Sequence, residues 1–299
     1  MKTYVFLFVA ALFILQSCKK DYSAICESLP QPNNGAPSFG WNYVTDSGYE
    51  KAPCFNPNNG NEFVFLKEIN SQLTLCTYNI QSNVLYKLFA GDILYKPDWG
   101  INNWILFDVN NDIYKIRPNG DSLTKLTTGN ISCGPKWSPN GTQLIFYLYG
   151  GYGIGARLAN QTGEIVDTLP YSFRETSAWR DSLIADAGSN EFLIYNTQNH
   201  AEHIIYTSLD INSYSGCCFV SSFELIWADN EGVYITDIQA GVTKKLKPTC
   251  NSQTYMFPDY SSSANKVIWG KVIATPVNAT DLSEKGTIVY TYKDATNEH

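Results

Sequence analysis

The chain has 299 residues and a formal net charge of −7; hydrophobic residues make up 44% of it and charged residues only 16%. This acidic balance argues against a nucleic-acid-binding protein. Aromatic residues account for 14% of the chain, which favours a β-rich body with many packed strands, and a chain of this length is able to bury a large core.

The amino terminus has the pattern of an export signal. An apolar run of 12 residues extends from Tyr4 to Leu15; it is too short to span a bilayer as a helix and is typical of a signal-peptide core. The run ends in Leu15-Gln16-Ser17-Cys18, which resembles the lipobox of bacterial lipoproteins, although Gln16 is a less usual residue there. The resemblance implies that residues 1–17 are removed and that Cys18 carries acyl chains such as palmitate. The alternative is an ordinary secretory signal followed by a chance cysteine.

Residues 18–48 are predicted to form a tether and an entry segment. The stretch from Leu29 to Gly35 is rich in proline, asparagine and glycine, which is turn chemistry with little to bury. The stretch from Trp41 to Val44 is a candidate strand.

A sequence motif then recurs six times along residues 49–299. Its clearest copy runs from Pro135 to Phe146, and the other copies end at Phe65, Phe107, Ala185, Trp227 and Trp269, with spacings of 42, 39, 39, 42 and 42 residues. A period of roughly 40–45 residues with several short strands per unit is typical of a β-propeller, in which only a closed ring of units makes a core. We therefore predict an all-β fold, a six-bladed β-propeller of four-stranded blades.

The sixth unit is one strand short. After the stretch Gly286 to Tyr290 the chain nearly stops, and an unpaired edge would invite association with other chains. We expect the candidate strand around Trp41 to Val44 to supply the missing outer strand and to close the ring.

The wording of the repeat resembles that of TolB-type propellers and of the propeller domains of prolyl oligopeptidases and dipeptidyl peptidase IV. Trp137 to Gly141 is the close match, Phe55 to Gly60 a fair one and Phe257 to Tyr260 a weak one. TolB carries an α/β domain before its propeller, and the peptidases carry a hydrolase domain with a Gly-x-Ser-x-Gly elbow. Neither is expected here, so the resemblance implies a propeller alone on a lipid anchor.

The sequence contains few candidate catalytic residues. His200 and His203 are expected in a turn rather than on a helix that could present both to a metal. Asp98, Asp181 and Asp259 each follow an inner strand and are interpreted as turn-closing residues, with paired catalytic carboxylates in the channel as the alternative. We predict no catalytic residue, no metal site and no cofactor.

The cysteines admit several interpretations. Seven accompany Cys18, an odd number that leaves at least one thiol unpaired unless it pairs between chains. Four of them begin inner strands and are expected on one face: Cys54, Cys133, Cys217 and Cys218. A disulfide involving Cys217 or Cys218 is the prediction, and inert packed thiols, a redox-active vicinal pair and a soft-metal site remain as alternatives.

Ligand binding is the remaining candidate chemistry. The mouth of a propeller channel is a concave site framed by loops, and we expect a mixed polar and aromatic set there: Tyr95, Lys96, Asp98, Trp99, Lys136, Arg174, Trp179, Arg180, Tyr255 and Asp259. This set suits a peptide or a glycan, and the alternative is the ordinary polar lining of a wet channel.

Together these features favour a non-catalytic β-propeller interaction module, held in the outer membrane of a bacterial envelope by acylated Cys18 and facing the periplasm or the surface. Its expected partner is an envelope protein or a peptidoglycan-linked component, and no nucleic acid. The expectation of such a partner rests on the resemblance to TolB, whose propeller binds an envelope lipoprotein. The alternatives are a glycan-binding surface lipoprotein and a carboxylate-dependent hydrolase or lyase.

Overall fold

The computed structural model describes residues 42–43, 49–129, 131–148, 155–171, 173, 177–188, 190–207, 216–229, 232–248, 253–278 and 281–292. These residues form six four-stranded antiparallel sheets, arranged as the blades of a β-propeller. The predicted all-β, six-bladed fold is therefore confirmed. The predicted signal segment and Cys18 lie outside the described residues. No helix in the described part of the chain is long and apolar enough to cross a bilayer.

The strands of each blade are given from the channel outward. Strand β1 (Asn42–Tyr43) belongs to blade 6. Blade 1 contains β2 (Glu50–Asn56), β3 (Asn59–Ile69), β4 (Gln72–Asn79) and β5 (Val84–Ala90). Blade 2 contains β6 (Asp98–Trp99), β7 (Ile105–Val109), β8 (Asp112–Ile116) and β9 (Thr124–Lys125). Blade 3 contains β10 (Ser132–Trp137), β11 (Gln143–Leu148), β12 (Arg157–Asn160) and β13 (Ile165–Thr168). Blade 4 contains β14 (Ala178–Arg180), β15 (Leu183–Ala187), β16 (Glu191–Asn196) and β17 (Glu202–Tyr206). Blade 5 contains β18 (Cys217–Phe219), β19 (Glu224–Ala228), β20 (Gly232–Asp237) and β21 (Val242–Pro248). Blade 6 contains β22 (Gln253–Ser261), β23 (Lys266–Asn278), β24 (Asp281–Tyr292) and then β1.

An amino-terminal strand closes the ring, as predicted. Strand β1 pairs antiparallel with β24, with Asn42 opposite Tyr290 and Tyr43 opposite Val289. It is the outermost strand of blade 6, whose other three strands come from the carboxyl-terminal part of the chain. The two ends of the chain are therefore joined in one sheet, and the outer edge of β24 is covered there.

The core lies between the blades rather than within any one of them. The described residues form six clusters of buried side chains, and each cluster draws its members from two neighbouring blades. Strand β11 shows why the second strands are apolar without interruption. Its Leu144 and Phe146 pack toward blade 2, whereas Ile145 between them packs toward blade 4. Since successive side chains of a strand point to opposite faces, a strand buried on both faces needs an apolar residue at every position.

The clearest copy of the repeated motif, from Pro135 to Phe146, forms a tight hairpin between β10 and β11. The hydroxyl of Ser138 accepts the N–H of Gln143 at 2.9 Å and donates to Oδ1 of Asn140 at 2.8 Å. Gly141 has a φ of +68°, and a Cβ there would lie 3.0 Å from the side chain of Asn102. The serine and asparagine thus close the turn through side-chain hydrogen bonds, and the glycine supplies the left-handed conformation.

Candidate functional site

One residue of each inner strand occupies an equivalent position. It directly precedes the aromatic residue near the end of that strand, and in every blade it pairs with the second strand in the same register; we call these six the axial residues: Cys54, Asp98, Lys136, Ala178, Cys218 and Asp259. All six line one cavity of about 210 Å³. Because every blade contributes a wall residue, the cavity lies on the axis of the ring.

The cavity lies at the carboxyl ends of the inner strands. Its wall includes residues of the hairpins that lead into the second strands, among them Pro57, Ile101 and Pro139. The connections between blades enter at the opposite ends of the inner strands. The loops that frame the concave site are therefore the hairpins within blades.

β-Bulges position three of the axial residues. The register between inner and second strand shifts directly before Cys54, Lys136 and Asp259. A proline precedes each of the three, and the residue before each proline has a positive φ: Ala52 (57°), Gly134 (59°) and Phe257 (54°). Proline has no N–H to donate to the sheet, so it is tolerated at a bulge. A bulge also turns the side chains that follow it, which here brings the axial side chains to the cavity.

The carboxylate of Asp98 joins blade 2 to blade 3. Its Oδ2 accepts the main-chain N–H of Trp137 at 2.7 Å, and its Oδ1 lies 3.2 Å from Nζ of Lys136. The thiol of Cys54 lies 3.7 Å from the same Oδ1. Burial opposes the charge on Lys136, but Asp98 outweighs this effect, together with Cys54 and Asp259, and raises the pKa of Lys136. The lysine is therefore charged and paired within the wall.

The carboxylate of Asp259 repeats this arrangement between blades 6 and 1. Its Oδ2 accepts the N–H of Phe55 at 2.7 Å, and its Oδ1 lies 3.8 Å from Nζ of Lys96. Nζ of Lys96 also donates to the carbonyl of Pro258 at 3.0 Å. Burial raises the pKa of Asp259, although the two lysines of the wall oppose that shift.

These contacts correct the interpretation of the three aspartates as turn-closing residues. Asp98 and Asp259 lie inside the inner strands and hold neighbouring blades together. Asp181 alone occupies a hairpin turn, where its carboxylate accepts a hydrogen bond from the hydroxyl of Ser222 at 3.1 Å. Asp98 and Asp259 directly precede the recurring aromatic residue of their repeats, whereas Asp181 follows Trp179 by two positions and therefore lies beyond the end of β14, in the turn.

The described cysteines are all free and buried: Cys54, Cys76, Cys133, Cys217 and Cys218. The structure thus holds no disulfide at Cys217 or Cys218. Both line the cavity with Cys54, whereas Cys133 does not.

The cavity thiols are protonated at neutral pH. Burial raises the pKa of Cys217 to about 12, and it raises the pKa values of Cys54 and Cys218 well above their usual range. Since the thiolate is the nucleophile and the metal ligand, these thiols suit packing better than redox or metal chemistry. Within the part of the chain that the structure describes, no group of three or more histidine, cysteine or acidic residues could hold a metal ion.

Two wall residues carry donors without a partner among the described residues. The guanidinium of Arg180 makes no ion pair or hydrogen bond with those residues, and Nε1 of Trp179 is buried without an acceptor among them. The indoles at the equivalent position of blades 2 and 3 differ. Trp99 donates to Oδ1 of Asn103 at 3.2 Å, and Trp137 donates to the carbonyl of Trp104 at 3.0 Å.

Seven of the ten residues predicted for the binding face line this cavity: Lys96, Asp98, Trp99, Lys136, Trp179, Arg180 and Asp259. Tyr95 and Tyr255 do not, because they lie toward the amino ends of their inner strands. Tyr95 packs against Tyr147 with ring centroids 5.7 Å apart, and Tyr255 packs against Trp269 at 6.2 Å. Arg174 lies outside the described residues.

The sequence analysis missed several wall residues. They come from the ends of the inner strands and the hairpins that follow: Pro57, Ile101, Trp137, Ser138, Pro139, Ala178, Phe219, Pro258 and Tyr260. All of them lie within a few positions of the aromatic residue that recurs in each repeat. The repeat pattern therefore contained a signal for them, once the carboxyl end of the inner strand is known to carry the cavity.

Comparisons with known proteins agree on the fold. No family model and no curated protein matches the chain. A gluconolactonase from Xanthomonas campestris aligns with a TM-score of 0.60 at 10% identity, over 83% of this chain and 88% of that chain. The calcium-binding protein regucalcin from Agrobacterium tumefaciens gives 0.60 at 10% identity, over 83% and 92%. A putative TolB from Agrobacterium tumefaciens gives 0.50 at 14% identity, over 70% and 88%.

At such identities the likeness shows the fold and not the activity. The fold and the comparisons together define a six-bladed β-propeller protein. More particularly, its structural neighbours include the putative TolB, in agreement with the resemblance of the repeats.

Proposed function

We propose that this chain is a bacterial envelope lipoprotein whose propeller binds a protein partner through the face that carries the axial cavity. The observation that carries the proposal is the apolar rim of that face. Ile101 is 50% exposed and Phe223 is 49% exposed, in equivalent hairpins of blades 2 and 5, which lie opposite each other in the ring. Pro57 and Pro139 are exposed in the corresponding hairpins of blades 1 and 3. Exposed apolar groups around a polar centre suit a protein interface.

The contacts of the wall carboxylates favour binding over catalysis. Asp98 and Asp259 each accept a main-chain N–H and lie near a lysine. A general acid or base has to exchange a proton with the substrate, and these carboxylates already serve the seams between blades. This favours the interaction module over the carboxylate-dependent hydrolase or lyase. If the purified protein turned over a polysaccharide or a peptide, the result would support the hydrolase or lyase instead.

The anchor in this proposal is acylated Cys18, in the outer membrane. Asn42, where β1 begins, follows Cys18 by 24 residues, which is a reach of at most roughly 80 Å for an extended chain. Multiple acyl chains hold a protein stably on a bilayer. Cys18→Ser should abolish incorporation of a palmitate analogue and release the protein from the membrane fraction. A Cys18→Ser protein that stays membrane-bound and normally processed would exclude the lipid anchor.

A crosslinking experiment tests the partner. The double variant Ile101→Ser/Phe223→Ser removes the apolar rim, and Ile165→Ser/Tyr206→Ser is the matched control, because those residues are 54% and 71% exposed on outer strands. We expect the rim variant to capture at least tenfold less crosslinked partner from intact envelopes than the unchanged protein does. The control variant should capture as much as the unchanged protein. Equal capture by both variants would exclude this face as the interface.

A further inference from the structure

The wall of the axial cavity has a surplus of cationic donors. Its charged residues are three cations and two carboxylates: Lys96, Lys136, Arg180, Asp98 and Asp259. Each lysine lies within 4 Å of a carboxylate, at 3.2 and 3.8 Å, whereas no carboxylate of the described residues pairs with the guanidinium of Arg180. The wall thus keeps one uncompensated positive charge inside a chain whose net charge is −7. An anionic group is the complement of that charge.

Trp179 lies beside Arg180 on the same inner strand, and both residues line the cavity. Its indole N–H is buried and has no acceptor among the described residues, although the equivalent indoles of Trp99 and Trp137 both have one. Because this N–H has almost no accessible surface, the ring of Trp179 and not its N–H faces the cavity.

We infer that the axial cavity binds the carboxylate of the carboxyl-terminal residue of the partner protein, with Arg180 as its ion-pair partner. This inference rests on the proposed function, and it adds the chemical group that is recognised. A guanidinium presents two parallel N–H groups that match both oxygens of a carboxylate. The volume of about 210 Å³ equals that of about seven water molecules. It admits a carboxylate with one side chain, which Ala178 and Phe219 of the wall would contact.

The same carboxylate chemistry occurs in acidic sugars, and the apolar part of the wall favours the peptide. A uronic acid carries several hydroxyls, and each one that becomes buried needs a hydrogen-bond partner. Ala178, Phe219 and Pro258 offer apolar surface instead, which suits the side chain of a carboxyl-terminal residue better than a ring of hydroxyls.

The test uses the full chain with N-acetyl-L-leucine as the probe and N-acetyl-L-leucine amide as its uncharged match. Ligand-detected NMR should show that the acid binds at least tenfold more tightly than the amide. Galacturonate tests the sugar source and should bind more weakly than the acid probe. If galacturonate binds more tightly, the peptide assignment is overturned.

Variants locate the binding group. Arg180→Ala should weaken the acid probe at least tenfold and Arg180→Lys less, because lysine keeps the charge but not the paired N–H groups. Arg157→Ala is the control, since Arg157 lies on β12 and not on the cavity wall; its affinity should be unchanged. Arg180 has no partner within the described residues, so its removal should leave the melting temperature unchanged.

The outcomes separate this inference from the proposed function. Equal binding of acid and amide, or full affinity in Arg180→Ala, overturns carboxylate recognition. If the acid probe does not bind while loss of the apolar rim still abolishes partner capture, the inference fails and the protein-binding module stands. If partner capture is also independent of the rim, both fail.

Discussion

Removing the carboxylate of Asp98 is expected to loosen the seam between blades 2 and 3. Asp98→Ala leaves the buried N–H of Trp137 without its acceptor, which lies at 2.7 Å, and leaves Lys136 without the counter-ion at 3.2 Å. The side chains of Lys136 and Asp98 are only 11% and 12% exposed, so water cannot fully replace the lost partner.

The expected magnitude follows from these two losses. An unsatisfied buried N–H is destabilising by about 1–3 kcal/mol, and breaking a buried ion pair from one side by about 3–5 kcal/mol. Both losses come from one carboxylate and overlap, so the free energy of unfolding should fall by about 3–5 kcal/mol in total. Asp98→Ala/Lys136→Met removes the stranded charge as well, so the double variant should recover about 2 kcal/mol relative to Asp98→Ala.

Equilibrium unfolding in urea, followed by tryptophan fluorescence, measures these differences. Asp121→Ala is the control, since this carboxylate is exposed in a turn and its loss should change the free energy of unfolding by about 0.5 kcal/mol or less. A loss below about 1 kcal/mol in Asp98→Ala, or a double variant no more stable than the single one, would refute the assignment of Asp98 to the seam.

Three further predictions concern stability. Burial raises the pKa of Asp108 from 3.8 to about 6, so the folded state binds the proton more tightly than the unfolded chain. As the pH rises from about 4 to about 6, the free energy of unfolding should therefore fall by about 3 kcal/mol. Urea titrations of Asp108→Asn should not show this pH-dependent loss. Gly134 has a φ of 59° at its bulge, so Gly134→Ala should be destabilising by about 1–2 kcal/mol, whereas Ala52→Gly at the equivalent bulge should change the melting temperature little; equal losses would contradict the backbone argument. Deletion of residues 35–49 removes β1 and exposes the edge of β24, so the melting temperature should fall by at least about 4 °C, and an unchanged melting curve would contradict closure by β1.

The repeat period was enough to predict the number of blades and the strand order. Each second strand packs against two neighbouring blades, so consecutive apolar residues form its centre, and a stretch such as Leu144 to Phe146 is visible in the sequence. The degenerate end of the sixth unit likewise pointed to a strand from elsewhere, and β1 supplies it. These features could be predicted because they depend on contacts that repeat around the ring.

The end of the channel that carries the cavity could not be predicted in the same way. A repeat pattern places the same residues along the channel whichever end carries the cavity, so Tyr95 and Tyr255 were included although they lie toward the amino ends of their inner strands, away from this cavity. One local signal was overlooked. A proline directly precedes the axial residue in four repeats, at Pro53, Pro97, Pro135 and Pro258, and proline inside a strand indicates a bulge. Which donors lack partners depends on individual contacts, which no spacing reports.

Blade 4 is where the regular pattern and the candidate site diverge. Its repeat is the most degenerate in sequence, its inner strand β14 has 3 residues, and its axial residue is Ala178. A methyl group at this position leaves open space on the axis where other blades place a lysine, an aspartate or a thiol. The same strand supplies Arg180, a charged wall residue without a partner among the described residues. A local departure from the rules that stabilise the rest of a fold is expected where a protein performs its function. The coincidence of the smallest axial residue with this unpaired cation therefore argues that blade 4 forms the recognition side of the cavity, while the Asp98 and Asp259 seams hold the remaining blades in place.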